Sequence, residues 1–567
     1  MRRKLAVLLA LVLVLSIFLA ACGQKDEPAD VGEGEPVETE TPADDVNNPA
    51  KGRSDAADTL IIGTSEAKGE FMPGFSSSVY DGYVVDLIFD GLISNDAAGN
   101  PVPHLAEKWE TDDNKTFTFY LRKDVKFTDG EPLTAEDVKF TYLLLSDPKY
   151  DGPRTSYVSD LVGYKEYHDG DATDVEGIKV IDDHTIEFTF TEGLATNIWN
   201  FGIGIMPKHI YGFEKGNIET AKAKMLEPLG SGPYKLVKFE PKQYVEFERN
   251  EDYFLGAPKV PKLILKFTTP ETYMSELEKG TIDVQLATAT NNENKEIIEG
   301  TGFLDIVSFP GNSYYYMGFN LRDPRLADKN VRQALVYGFN REQFVNVYYQ
   351  GYGAVCNQPI SQVSWAYSED VNAYEYNPEK AIEILEAAGW KEGPDGVREK
   401  DGQRLEFIWD TYTESRYVET LIPMLKADWE KIGVKVEANL MEFNALSEKV
   451  FDKREFEMYN MGWSLSIDPD SYEIFHSSAD VPGGFNCMGF RNEKNDELLE
   501  AGRREVDPEK RAQIYQEWAA LINEELPYMF INQGENWDVV NKRVKNFNTS
   551  PYQKFTSPDI ILSVELE

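Results

Sequence analysis

The run GWSLSIDPDSYEIFHSS, Gly462 to Ser478, concentrates side chains that do chemistry: Trp463, Asp468, Asp470, Tyr472, Phe475 and His476. Two aspartates and an imidazole in one short run suit proton transfer, cation binding or the wall of a ligand cleft. They equally suit an ordinary buried segment. The other histidines, His104, His168, His184 and His209, are scattered, and none is paired at metal-ligand spacing. No H-E-x-x-H, G-x-S-x-G or P-loop pattern occurs, and the acids around Asp468 lack the Asp-x-Asp-x-Asp-Gly order of a calcium loop. With 98 acidic residues, counting selects no glycosidase-like carboxylate pair. No nucleophile, metal pair or acid/base couple is defined; His476 reads first as a structural imidazole, and no cofactor is implied.

A second reactive group sits near the start of the chain. Arg2, Arg3 and Lys4 precede an apolar run from Leu5 to about Ala20, the form of a secretory leader over residues 1–21. Leu19-Ala20-Ala21-Cys22 resembles the lipobox of bacterial lipoproteins, which implies cleavage before Cys22 and acylation of its thiol. Acyl chains would then hold the protein at the outer face of a cell membrane; the competing reading is a retained helical anchor. Residues 22–58, rich in Pro, Gly, Glu and Asp and free of aromatics, cannot bury a core and predict a disordered acidic tether, with an acidic interaction tail as the alternative.

The net charge is −41, or −44 without the three leader cations. Such a surface disfavours nucleic acid and is repelled by anionic headgroups, so lipid alone would hold it at a membrane. Besides Cys22 there are two cysteines, Cys356 and Cys487. They form one disulfide in an oxidising compartment or pack as two small apolar residues; both readings stand.

These residues must be positioned by the body from about Thr59 to Glu567, which is too long for one simple core. DTLIIGT reads as a buried strand, and KTFTFYLR alternates Phe117, Phe119 and Leu121 with polar or amphipathic neighbours, the period of a half-buried strand. Thr134 and Asp137 have the spacing of a helix N-cap pair. NPEKAIEILEAAGW predicts a helix with Asn377 as N-cap, Pro378 at its first position and Gly389 after its end. LEFIWDTYTESRYVETLIPMLKADWEKIGVKVEANL predicts strand, helix, strand, hence a partly parallel sheet.

Taken together, LAEKWETDDNKTFTFYLRKDVKFTDGEPLTAEDVKFTY, GSGPYKLVKFEPKQYVEFERNEDYF, MGFNLRDPRLADKNVRQALVYGFNRE, YNPEKAIEILEAAGW and GWSLSIDPDSYEIFHSS resemble, in order, blocks of the bacterial extracellular solute-binding proteins of family 5, the peptide receptors of ABC importers. The resemblance covers about Asp58 to the C-terminus. It implies an α/β, two-lobed periplasmic-binding-protein-like fold that closes on ligand by hinge bending, without catalysis. Lobe I would span 59–311, with an extra subdomain at about 95–227; lobe II would span 312–529, and 530–567 would return to lobe I.

By that resemblance a monomer would capture an extended peptide and pass it to the permease subunits. The cleft would be lined by Glu70 and Phe71 after the first strand, by Asn312, Tyr314 and Tyr315 at the crossover, and by Trp365, Trp463, Ser466 and Asp468. In well-known family members an acid that pairs with the ligand's amino group stands where this chain has Ser466. Asp468 or Asp470 is the expected substitute. A longer peptide with a wet terminus, a metal chelate, haem or a sugar stays open as ligand, and signalling without transport as role.

Overall fold

The computed structural model describes residues 48–567; the expected leader, Cys22 and the tether up to residue 47 lie outside the described residues. Among the described residues no helix is long and apolar enough to cross a membrane. The first strand, β1 (Thr59–Thr64), is buried at every position, as a strand covered on both faces must be. Helix α1 (Val79–Ile88) follows with Ser78 as its N-cap.

The chain then builds a subdomain from β2 (Ala106–Glu110), β3 (Thr116–Leu121), α2 (Ala135–Leu145), β4 (Ile178–Asp182) and β5 (Thr185–Thr189), with strand order β2-β3-β5-β4. In β3, Phe117, Phe119 and Leu121 are buried and their neighbours half-buried. At the start of α2 the Thr134 N–H and hydroxyl both donate to Asp137 at 2.9 Å, so this carboxylate serves a helix end.

Strands β6 (Tyr234–Glu240), β7 (Tyr244–Arg249), β8 (Lys262–Phe267) and β9 (Val284–Thr288) return to the main sheet, and β10 (Leu304–Pro310) leads out of it. The second lobe contains β11 (Ser313–Phe319), β12 (Gly353–Val355), α3 (Pro378–Ala387), β13 (Glu406–Tyr412), α4 (Arg416–Lys431), β14 (Lys435–Met441), β15 (Met458–Ser464), α5 (Glu493–Arg504) and α6 (Pro508–Glu525). The long β16 (Tyr528–Asn541) closes the circuit. These strands run in the order β14-β13-β15-β11-β16-β9-β1-β8-β7-β6, with β10 and β12 also paired to β16. The β13-α4-β14 unit is parallel, as the sequence predicts, and α4 buries Leu421, Leu425 and Trp429. Separate apolar cores sit under lobe I, in the subdomain and on the two faces of the lobe II sheet.

Two expectations are corrected, and one open choice is decided. Residues 48–58 are not part of a structureless tether. Asn48 and Asn541 exchange side-chain amide hydrogen bonds of 2.6 and 3.0 Å, and Arg53 grips the fully buried Asp283 at 3.1 and 2.9 Å. These distant partners supply the ordering energy that the local composition lacks. The return to lobe I falls a few residues later than 530, because β16 pairs with β11 through Asn532 and with β10 only from Glu535 onward. There the Gly311 N–H donates to the Gly534 carbonyl at 2.9 Å, bringing the two crossing strands side by side. Of the two readings of Cys356 and Cys487, the structure has the packed thiols: both are free and buried, and burial pushes each thiol up to about 12.

Candidate functional site

The site grows out of β15. One edge pairs with β11 along its whole length, from Phe319↔Met458 to Ser313↔Ser464. The other edge pairs with β13 only at Met458 and Tyr459, leaving Asn460 to Ser464 without a strand partner among the described residues. Gly462 and Ser464 are exposed on this bare edge. A β-carbon at Gly462 would meet the Tyr315 ring at 3.1 Å, so the glycine keeps the strand narrow where that ring lies against it.

Alternation along β15 sends Trp463 to the opposite face. It lies parallel to Tyr316 at 6.3 Å and edge-on to Phe485 at 5.2 Å. A cavity of about 240 Å³ opens beside it, walled by Asn312, Trp463, Ser466, Asp468, Asp470 and Phe485. Asn312 positions the loop beyond the strand: its amide donates to the Leu465 and Ser466 carbonyls, both at 3.0 Å. Ser466 is exposed.

The two carboxylates of the loop are already engaged inside the protein. Asp468, 8% exposed, accepts two bonds from Arg511 at 2.6 and 2.8 Å, a bidentate pair that matches guanidinium to carboxylate geometry. Arg511 in turn lies over Trp365 and Tyr515. Asp470 faces Arg503 at 3.2 Å; burial pushes its carboxyl up to about 6, with Arg503 pulling the other way. Asp468 as a free acceptor for a ligand ammonium is therefore at odds with the geometry, because its charge is spent on Arg511. His476 stacks on Tyr472 at 4.0 Å and contacts Ser478 at 2.7 Å, a structural arrangement.

Other expected cleft residues divide between core and surface. Tyr314 is fully buried between Tyr316 and Phe530, and Phe71 is fully buried against Phe239; both are core. Tyr315, one residue on, points to the opposite face, where it stacks half-buried on Tyr417 at 4.6 Å. Glu70 is half-buried and accepts the Ser77 N–H at 2.9 Å. Trp365 is half-buried and belongs to a different cavity, shared with the subdomain.

Sequence reasoning missed Asp81. This fully buried carboxylate accepts the Gly69 and Glu70 N–H groups, both at 2.9 Å, and the Ser78 hydroxyl. It shapes the loop after β1, where Gly69 takes φ +96°. The signal was present as Ser78-x-x-Asp81 at a helix start. One buried polar cluster in lobe I lacks the order of a catalytic triad. Asp90 receives Ser231, Tyr253 and His104, each at 2.8 Å; the acid stands between hydroxyl and imidazole, so no base activates the serine. Among the described residues no group of acids, histidines or cysteines is placed to hold a metal.

Comparison with known proteins gives this geometry its context. The model of the bacterial extracellular solute-binding proteins, family 5 Middle, matches residues 100–484, more than half of the chain. The oligopeptide-binding protein AppA of Bacillus subtilis is 29% identical over 559 residues, covering 97% of each chain. The solved structure of that AppA in complex with a nonapeptide matches with TM-score 0.68 and 28% identity, over 90% of this chain and 99% of that one. NikZ from Campylobacter jejuni, solved in complex with Ni(L-His), matches with TM-score 0.72 and 27% identity, over 89% and 99%. With two lobes joined at paired crossing strands and a family match over most of its length, this chain belongs to the bacterial extracellular solute-binding proteins of family 5.

Proposed function

We propose that this chain is a peptide receptor, anchored at the extracellular face of the cell membrane through lipid on Cys22, that delivers captured oligopeptides to the permease subunits of an ABC importer. The observation that carries this reading is the bare edge of β15 at Asn460–Ser464. An extended peptide adds there as a further strand, so its backbone is recognised whatever its sequence. The cavity beside Trp463 then receives a side chain, and its hydroxyl-rich walls support water-mediated contacts with varied groups.

The receptor acts as a monomer and performs no chemistry on its cargo, in keeping with a family of substrate-binding proteins and with the miswired Ser231–Asp90–His104 cluster. Since Asp468 is spent on Arg511, a peptide's amino terminus stays hydrated rather than paired to a buried acid. Longer peptides follow as the preferred cargo.

Native mass spectrometry of the purified protein tests the ligand class. Bound peptides of mixed sequence are expected; bound metal chelate, haem or sugar would replace the peptide reading. Incubation with a peptide pool should leave every peptide intact. For the anchor, Cys22→Ser should release the protein into the medium, whereas continued membrane retention would favour an uncleaved helix.

A further inference from the structure

The loop after β15 borders three cavities, and only the one beside Trp463 belongs to the peptide edge. Another, of about 470 Å³, lies between the subdomain and lobe II. Trp109, Phe117 and Trp199 face it from the subdomain; Trp365, Val506 and Arg511 face it from lobe II. Contacts between the two bodies frame it. Ile467 sits so close to Gly99 that a β-carbon there would come within 2.7 Å of its methyl group. Arg504 approaches Glu192 at 3.7 Å, near along the chain to the lining residues Val506 and Ala195.

Two features say what would occupy this space. The first is charge. Asp468 and Arg511, the buried charged pair on its wall, neutralise each other through two short bonds, and the third charged group, Glu509, is exposed. The cavity therefore asks for no counter-charge and offers aromatic faces, which reward neutral apolar groups. The second is continuity: Asp468 lines this cavity and the Trp463 cavity alike, so a ligand on the β15 edge has a neighbouring space within reach.

We propose that the three-tryptophan cavity is a second ligand subsite, taking a large apolar, preferably aromatic, side chain of the peptide held on β15. This rests on the peptide reading above. Because its walls come from two bodies, a side chain there is gripped by subdomain and lobe II together, and occupancy favours the closed arrangement. The subdomain then acts in selection and not only as scaffold.

The test uses calorimetric titration of the full chain with nine-residue alanine-rich peptides carrying a single tryptophan at each successive position, beside the tryptophan-free parent. One position, or two adjacent ones, should bind about tenfold more tightly than the parent, the scale of burying one large apolar side chain. Trp199→Ala should remove that gain while leaving the parent's affinity unchanged. Ala512→Phe, which fills the cavity from α6, should do the same, and it guards against a fold effect at Trp199. Binding of the parent with no gain at any position, or a gain that survives both variants, overturns the subsite and leaves the peptide reading standing. No binding by any member of the set overturns the peptide reading and the subsite with it.

Discussion

Asp283 in lobe I and Asp468 in lobe II are both buried carboxylates gripped by arginine, yet they do different work. Asp283 is fully buried and holds two guanidinium groups: Arg543 at 2.7 and 2.9 Å and Arg53 at 3.1 and 2.9 Å. It also accepts the Ile61 N–H at 2.9 Å. The N-terminal segment, β1, the start of β9 and the turn after β16 thus converge on one charge. Asp468 has a single arginine, is 8% exposed and borders two cavities. The same pairing is a clamp where it is dry and enclosed, and a site wall where a cavity reaches it. A buried pair is costly to break because the surviving partner stays unpaired.

The comparison can be broken most strongly at Asp283. Asp283→Asn strands two arginines, so we expect stability in urea to fall by about 3–5 kcal/mol, with the remaining folded protein binding peptide as before. Asp468→Asn strands one arginine beside a cavity that water can enter, and should cost about 1–3 kcal/mol. Unlike the Asp283 variant, it should also weaken peptide binding. Equal binding losses in the two variants would erase the distinction between clamp and wall.

Asp470 sharpens the contrast through pH. Its carboxyl is raised from 3.8 to about 6 by burial, so between those values the folded protein keeps a proton that the unfolded chain releases. Stability then falls as pH rises through that window. Asp470→Asn should raise the melting temperature at pH 8, by an amount equivalent to at most about 3 kcal/mol, with no gain below pH 4. A gain that is independent of pH would show that the carboxyl does not carry the effect. The smallest effect expected is none: reductant should leave the melting temperature unchanged, since Cys356 and Cys487 are thiols.

Much of the fold was legible because it is set by near neighbours. The Thr134–Asp137 cap, the Asn377–Pro378 helix start and the alternation in β3 each depend on residues within one turn or one pleat. The site was less legible. Tyr314 and Tyr315 read alike in the sequence, but adjacent strand residues face opposite sides, and only packing makes the first core and leaves the second half-buried. Trp463 and Ser466 line the cavity beside β15, whereas Phe71 is packed in the lobe I core.

By itself the sequence determined the local elements, their order, the family blocks and the lack of a catalytic motif. What each acid does was decided by tertiary structure alone. Arg511 stands 43 residues from Asp468, and Arg53 and Arg543 stand 230 and 260 from Asp283. The role of a carboxylate follows from the charge brought against it and the water left around it, and both depend on residues far away along the chain.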